Sequence, residues 1–565
     1  MRKIFTVLFI ILAVCTLRSY SQNWNSVFVN TGGTTIYDLA SNSTPQWIAQ
    51  DPSNPDRIHV VLLSSPYGDP STYPNRRSKY YYSEDGGANW GFIGNVNDRK
   101  SGFPSISIAS DGTAAICNYG STSSNPMTRT LVYVDTYPGL GSFVLYEPPY
   151  STTFYFFGKF CLTSNINLGT KFIVMGQSMT SDSTMRINGP NPWSNWTVFA
   201  STSPEAYCSA RGADGRIGIA YIQNSFFPND YRAVYFIETT DNGVTFSSPV
   251  KIFSADYTNP STDSLAAFRG LSLVYKSNIP CISFETVKQD PISGNYNMQA
   301  PAKIRFWCTE LPGSDPNRSI MIAGKENVPI PSEDSIKTGI NDQFGSLSRP
   351  AIGVSSDNNS LFVVFQAFTN KYGGSPDTTN YKALYITKAT GNYNFSVPTK
   401  FSPDTPLRDW SYPSVSPYNN RTGQPLIVNI CALRDSIPGT YVNATDNGQS
   451  NAELYYIKLT TEHTIGISNE TERDLSFSLS QNYPNPFNSV TGIKFKVQST
   501  YQKGIYVTLK VFDLTGREVA VLINENLRPG EYKINFDAGE IASGIYFYRL
   551  QAGEFSETKK LILLK

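Results

Sequence analysis

The feature that most constrains this chain is a recurrence. Between Gln22 and about Glu462 one pattern returns seven times: an apolar strand, a short turn, a second strand, a long polar loop, and a third strand rich in aromatics. The first strands start near Pro45, Pro104, Gly158, Tyr207, Arg269, Arg349 and Tyr412. Second strands follow as short apolar runs, such as Ile58 to Leu62, Ile217 to Ala220 and Leu361 to Phe365. Third strands include Lys79 to Tyr82, Val234 to Ile237 and Leu454 to Ile457. Runs of this length, bounded by turn residues, read as buried strands.

The repeat spacing of roughly 50 to 80 residues is too long for leucine-rich or ankyrin units and suits propeller blades, four-stranded sheets set radially around a channel. The expected fold class is all-β, with a seven-bladed β-propeller. The unit near Gly158 is the weakest, which keeps six blades as the alternative. Trp24 to Val29 precedes the first inner strand and can supply the outer strand of the last blade. That pairing joins the two ends of the repeat and removes an exposed sheet edge.

Two units carry a sharper signature. S-E-D-G-G-A-N-W (Ser83 to Trp90) and T-T-D-N-G-V-T-F (Thr239 to Phe246) share the form S/T-x-D-x-G-x-x-W/F. Each is expected to be the hairpin turn between a third and a fourth strand. The Asp85 or Asp241 carboxylate caps turn N–H groups, Gly87 and Gly243 supply φ > 0, and Trp90 or Phe246 packs the turn down. The stretches resemble the Asp box of sialidase-type (BNR) propellers. That resemblance implies a structural role for Ser83, Asp85, Gly87, Trp90, Thr239, Asp241, Gly243 and Phe246, away from the ligand face.

A ligand is then expected at the opposite mouth, where second-to-third loops and links into first strands gather. Its loops, Ser65 to Arg77, Phe226 to Arg232, Gln289 to Asn297 and Lys371 to Tyr381, are rich in Tyr, Asn, Pro and Gly. Arg76 and Arg77 read as a solvated loop pair. Arg269 and Arg349 hold the same place in their units, and Tyr207 and Tyr412 roughly equivalent ones, so these four are the ligand-binding candidates. Two guanidiniums in one mouth suit a carboxylate. Glu285 and Asp435 follow second strands and are the candidate catalytic carboxylates. Sialidases use an arginine cluster in this way, but the chain departs from them. An early F-R-I-P is replaced by T-P-Q-W-I-A-Q-D, and Arg211 falls several residues out of register.

Composition narrows the function classes. Lys+Arg 46 against Asp+Glu 45 gives no pull toward nucleic acid or an anionic membrane. Two histidines, His59 and His463, make a histidine-rich metal site or a Ser-His-Asp triad a poor fit, and nothing calls for a metal or a cofactor. Arg2 and Lys3, the apolar run Ile4 to Val14 and Ser19-Tyr20-Ser21 form a signal peptide over residues 1–21. No other apolar run reaches membrane-spanning length, so the mature chain is expected to have no transmembrane segment. Outside that segment lie Cys117, Cys161, Cys208, Cys281, Cys308 and Cys431, whose spacing leaves bridges and buried thiols both open.

The final residues differ in kind. Val507, Leu509 and Val511 alternate with Thr508 and Lys510, the period of a half-buried strand. Three motifs occur in order: N-Y-P-N-P-F-N from Asn482, D-L-T-G-R-E-V from Asp513, and A-S-G-I-Y-F-Y-R-L from Ala542. Together they resemble the C-terminal sorting domain of type IX secretion cargo proteins of Bacteroidota and related bacteria. The resemblance implies a small Ig-like β-sandwich that serves as an export address. It also implies the type IX machinery as partner and a secreted or outer-membrane-surface location reached through the periplasm. The expected domains are the propeller over 22–462, a polar linker over 463–475 and the sorting domain over 476–565. Function then divides between a propeller binding a glycan or surface protein and a carbohydrate-active enzyme using carboxylates at the mouth. A purely structural surface component is the third reading.

Overall fold

The computed structural model describes residues 24–39, 41–122, 128–149, 155–162, 172–178, 183–190, 192–224, 232–255, 265–290, 294–311, 319–337, 344–373, 379–390, 392–419, 426–440, 442, 449–461, 478–497, 505–528, 530–552 and 555–565. The expected signal peptide and linker lie outside these residues, as do parts of the loops 226–232, 289–297 and 371–381. The chain separates into two compact units, Met1–His463 and Thr464–Lys565. It is all-β: the described residues hold strands and a single 3-10 turn, Glu333–Ser335.

The first unit is a series of four-stranded antiparallel groups. Group one runs Ile48–Gln50, Ile58–Ser64, Arg77–Ser83, Gly91–Asn95, and group two runs Ser101–Ile108, Ala114–Gly120, Arg129–Asp135, Phe143–Tyr146. Groups three and four share the long strand Thr197–Arg211, whose start is the fourth strand of one and whose end is the first strand of the next. Group five starts at Leu265–Lys276, group six at Leu347–Ser355 and group seven at Asp409–Val415. Group seven has three strands of its own, and Trp24–Thr35 completes it from the other end of the unit, pairing Trp24 with Thr461 and Tyr456 with Val29. First strands touch in sequence, and that of group seven also touches that of group one, so the contacts close a cycle.

Packing explains the strand compositions. Middle strands are apolar on both sides because each group is pressed between two others. Val60, Leu62 and Tyr81 of group one pack on Leu454 and Tyr456 of group seven. Val132 of group two packs with Phe160 and Phe172 of group three, and Phe236 of group four with Leu273 and Trp307 of group five. Each fully buried aliphatic or aromatic side chain here contributes about 1.5–3 kcal/mol. The fourth strands of groups one and two, Gly91–Asn95 and Phe143–Tyr146, are short and largely solvent-facing.

The two Asp-containing turns join groups as well as strands. Asp85 Oδ1 accepts hydrogen bonds from Asn89 N (2.9 Å) and Ser83 Oγ (2.9 Å), and Gly87 N donates to Ser83 Oγ at 3.0 Å. Trp90 Nε1 donates to Gly87 O at 3.0 Å, and its ring lies 5.2 Å from Tyr456 of group seven. Gly87 has φ 85°, and a Cβ there would stand 2.0 Å from the Tyr456 ring. The second turn repeats this arrangement: Thr245 N and Thr239 Oγ1 donate to Asp241 Oδ1 at 2.9 and 2.7 Å. Asn188 of group three donates to Gly243 O, and Arg186 of group three lies 4.2 Å from the Phe246 ring centre. Each turn therefore clasps its group to the preceding one.

In the second unit, a three-stranded sheet (Ser478–Leu479, Val490–Val497, Gly530–Asp537) and a four-stranded sheet (Glu518–Leu527, Ile505–Phe512, Gly544–Ala552, Phe555–Leu563) share one apolar core. Val507, Leu509 and Val511 are buried, while Thr508 and Lys510 are only partly covered. Asn482 is buried, its N–H donating to Tyr548 Oη at 2.8 Å and its amide to Thr491 Oγ1 at 3.0 Å. Phe487 exchanges backbone bonds with Ile562 and Leu564, which ties the N-Y-P-N-P-F-N stretch to the last strand.

Candidate functional site

The first strands of groups two to seven enter the cycle through a bulge. The register shifts between Gly102 and Ser105, Phe156 and Lys159, Thr202 and Tyr207, Ala267 and Leu271, Ser348 and Ala351, and Ser411 and Ser414. Extra residues on one strand leave the ladder and re-aim side chains. Phe103, Phe157, Glu205, Arg349 and Tyr412 sit in these bulges with φ between 50° and 56°. Such left-handed backbone in bulky non-glycine residues is costly and marks positions fixed by their surroundings. Arg269 lies in the bulge of group five.

These bulges build a buried charged network. Glu285, on the second strand of group five, accepts from Arg269 N at 3.2 Å and from Arg349 N at 2.6 Å, and its Oε1 lies 3.4 Å from Arg349 Nη1. One carboxylate thus fixes two arginine-bearing bulges from adjacent groups. Arg349 and Glu285 are both fully buried, and the guanidinium stands over the Phe344 and Tyr412 rings. Arg349 Nε and Nη2 have no hydrogen-bond partner among the described residues. Arg269 is partly buried, and its pKa is lowered to about 10 by burial and then by the nearby Arg349. Burial raises the pKa of Glu205 and lowers that of Lys159, each opposed by the charge of the other.

A segment of the chain itself covers this network. After its strand in group seven, the N-terminal segment crosses to the first strand of group one. On the way Asn42 N donates to Glu205 Oε2 at 2.6 Å, Ser43 Oγ to Arg269 O at 2.7 Å, and Thr44 Oγ1 to Pro350 O at 3.0 Å. Lys159 Nζ donates to Thr44 O at 3.3 Å. Three residues thereby touch groups three, four, five and six, and Asn42, Ser43 and Thr44 are all buried.

Behind this plug lies a cavity of about 570 Å³ running along the first strands. Its closed end is lined by Thr44, Pro45 and Lys159, all buried. Its other end is rimmed by exposed Ser110, Arg211, Ser277, Ser356 and Tyr418, where first strands turn into second strands. Tyr418 reaches across this rim from group seven to donate to Arg211 O of group four at 2.7 Å. Between the ends the wall is aliphatic, interrupted by Gln46, Gln50, Ser107, Ser209 and Ser272. Ser209 Oγ is buried without a hydrogen-bond partner among the described residues.

The sequence candidates fall as follows. Arg269, Arg349 and Glu285 meet in one network. Tyr412 occupies a bulge and is buried beneath Arg349, while Tyr207 lies beyond its bulge, pairs with Tyr221, and donates to Phe157 O at 2.7 Å. Glu205, not Tyr207, is the counterpart of Tyr412. Asp435 lies apart from Glu285, accepting from Ser450 Oγ at 2.7 Å and Ile437 N at 3.1 Å. Its cross-strand neighbour Asp409 is bound by Lys382 Nζ at 2.7 Å, with burial raising its pKa to about 6. Arg76 is not a solvated loop residue: it is buried against Tyr37, Phe103 and Tyr119, 4.6 Å from the first ring centre, and donates to Ser101 O at 3.2 Å. Sequence reasoning missed Glu205, Lys159 and the plug Asn42–Thr44. Glu205 had a signal in its position just before an inner strand; the plug had none, because Ser-Asn-Ser-Thr reads as an ordinary loop.

Comparison with known proteins gives one family. Residues 481–564 match the secretion system C-terminal sorting domain. This tail indicates handling by the type IX secretion machinery and export to the outside or the cell surface. No helix among the described residues is long and apolar enough to cross a membrane. No curated protein matches the chain. Solved structures similar to it include a phage phi92 endosialidase (10% identity, 95% of this chain and 88% of that chain, TM-score 0.38). An exo-β-1,3-galactanase from Phanerochaete chrysosporium is similar at 9% identity over 95% of this chain and 100% of that chain, with TM-score 0.29. The Hadza microbial sialidase Hz136 is similar at 9% identity over 63% of this chain and 65% of that chain, with TM-score 0.30.

Proposed function

We propose that the first unit is a seven-bladed, sialidase-like propeller with two Asp boxes, and that it serves as an exported glycan-binding module. The observation that carries this reading is the cavity. One end is bounded by buried Thr44, Pro45 and Lys159, and the other is rimmed by exposed Ser110, Arg211 and Tyr418. A volume of about 570 Å³ is in the range of small-ligand sites. Amide and hydroxyl groups set in an aliphatic wall match the mixed faces of a sugar, whose hydroxyls need both donors and acceptors. In this reading the glycan end enters on the face that carries the Asp boxes. Arg269, Arg349, Tyr207 and Tyr412 are not among the residues that line this cavity, so in this reading they hold the surrounding strands in place rather than touch the ligand.

The test is a glycan array followed by titration on the full-length protein. Ser209→Phe, which fills the cavity, and Arg211→Ala at its rim are expected to weaken binding tenfold or more with the melting temperature unchanged. Binding that ignores both substitutions overturns the cavity as the site. Capture of proteins but no glycan would identify a protein ligand instead.

A second reading, glycoside hydrolysis, is favoured by one observation. Glu205 is a buried carboxylate whose pKa is raised by burial, with the charges of Lys159 and Arg349 nearby opposing that rise, an arrangement common at catalytic sites. Glu285 and Asp435 are its other carboxylates, both engaged by protein partners. Turnover of any member of a chromogenic glycoside panel, abolished by Glu205→Gln, Glu285→Gln or Asp435→Asn, would establish the enzyme.

A further inference from the structure

Six cysteines lie among the described residues, and all are buried thiols. Cys117, Cys161, Cys208 and Cys431 belong to four different groups of strands. Cys281 and Cys308 stand on adjacent antiparallel strands of the same group, directly opposite each other in register. Opposed residues of such a pair have Cα atoms ~4.5 or ~5.5 Å apart, and both separations lie within the span of a disulfide. The two side chains share one apolar core with Val274, Phe306 and Tyr393. Export adds the second condition, because disulfides form and persist in the periplasm and outside the cell.

We propose that Cys281 and Cys308 form a cross-strand disulfide in the exported protein. The oxidant is the disulfide form of an envelope thiol–disulfide oxidoreductase. The thiolate of one cysteine attacks that disulfide, forming a mixed disulfide and expelling one oxidant thiolate. The thiolate of the other cysteine then attacks the protein sulfur of the mixed disulfide, closing the Cys281–Cys308 bond and releasing the oxidant as a dithiol. The two cysteines lose two protons and two electrons, and the oxidant gains both. Both thiols are fully buried once folded, and burial pushes the Cys281 thiol up. The exchange therefore takes place before these strands close, and the finished bond is shielded from reductants.

The experiment uses full-length protein collected after export, denatured in an alkylating reagent without reductant, digested with trypsin and mapped by mass spectrometry. A linked species joining the Cys281 and Cys308 peptides is expected, with Cys117, Cys161, Cys208 and Cys431 alkylated. Recovery of Cys281 and Cys308 as alkylated peptides would overturn the proposal, as would linkage of either to another cysteine. The Cys281→Ala variant is expected to render Cys308 alkylatable in the same protocol. Dithiothreitol is expected to open the bond in denatured protein and to leave it intact in the folded protein.

Discussion

Arg349 and Glu285 each depend on the other to be buried at all, since both side chains are fully enclosed. Breaking such a pair from one side leaves an uncompensated charge, at a cost of roughly 3–5 kcal/mol. Arg349→Met and Glu285→Gln are each expected to lower the melting temperature sharply, and the double variant to recover much of the loss. A double-mutant thermal melt with additive effects contradicts this coupling. His59 behaves differently. It is buried with Nδ1 2.7 Å from Tyr80 Oη, and burial lowers its pKa from 6.5 to about 3. The unfolded chain therefore takes up a proton that the folded chain refuses. Above pH 6.5 His59 has no effect, and from pH 6.5 down to about 3 it costs about 1.4 kcal/mol per pH unit. His59→Gln is expected to flatten the stability profile over that window, and an unchanged slope would refute the assignment. At this scale the sequence was only partly legible. Arg269 and Arg349 were visible as equivalent positions because each starts an inner strand. Burial of Arg76 in an aromatic cage was not, because Tyr37, Phe103 and Tyr119 come from distant segments.

At the scale of the element, the turns were the readable part and the bulges were not. Ser83 to Trp90 and Thr239 to Phe246 carry their turn chemistry within eight residues, so local rules sufficed. The bulges depend on pairing two strands, and their residues, Phe103, Phe157, Glu205, Arg349 and Tyr412, share no chemical type. Two predictions belong here. Gly87→Ala places a Cβ against Tyr456 at φ 85° and is expected to destabilise by about 2 kcal/mol or more, read as a lower melting temperature. Asp85 and Asp241 accept hydrogen bonds from their turns, which lower each pKa from 3.8 to about 2. Their stabilisation is complete above pH 3.8 and is lost as pH falls through about 2. Asp85→Asn combined with Asp241→Asn should therefore shrink the stability difference between pH 5 and pH 2, and no change in that difference would contradict the role.

At the scale of the whole molecule, closure and export are separate devices. Trp24–Thr35 completes group seven, so the two ends of the unit are joined by strand pairing. This pairing was legible because an isolated aromatic strand ahead of a repeat has one obvious use. The plug that follows was hidden, since nothing local tells a crossing loop that it will meet Glu205, Arg269 and Pro350. Deleting Trp24 to Asn30 is expected to expose the edge of Ala452–Thr461 and to cause aggregation. Truncation after Glu472 is expected to leave one cooperative melt for the first unit and to abolish export. Loss of that melt would make the tail part of the core. The most direct test of the account is glycan titration of the full-length protein beside its Ser209→Phe variant. A specific glycan bound without turnover, with affinity lost in Ser209→Phe and the melting temperature held, is the predicted result. Equal affinity in both proteins, or hydrolysis that disappears with Glu205→Gln, would contradict it.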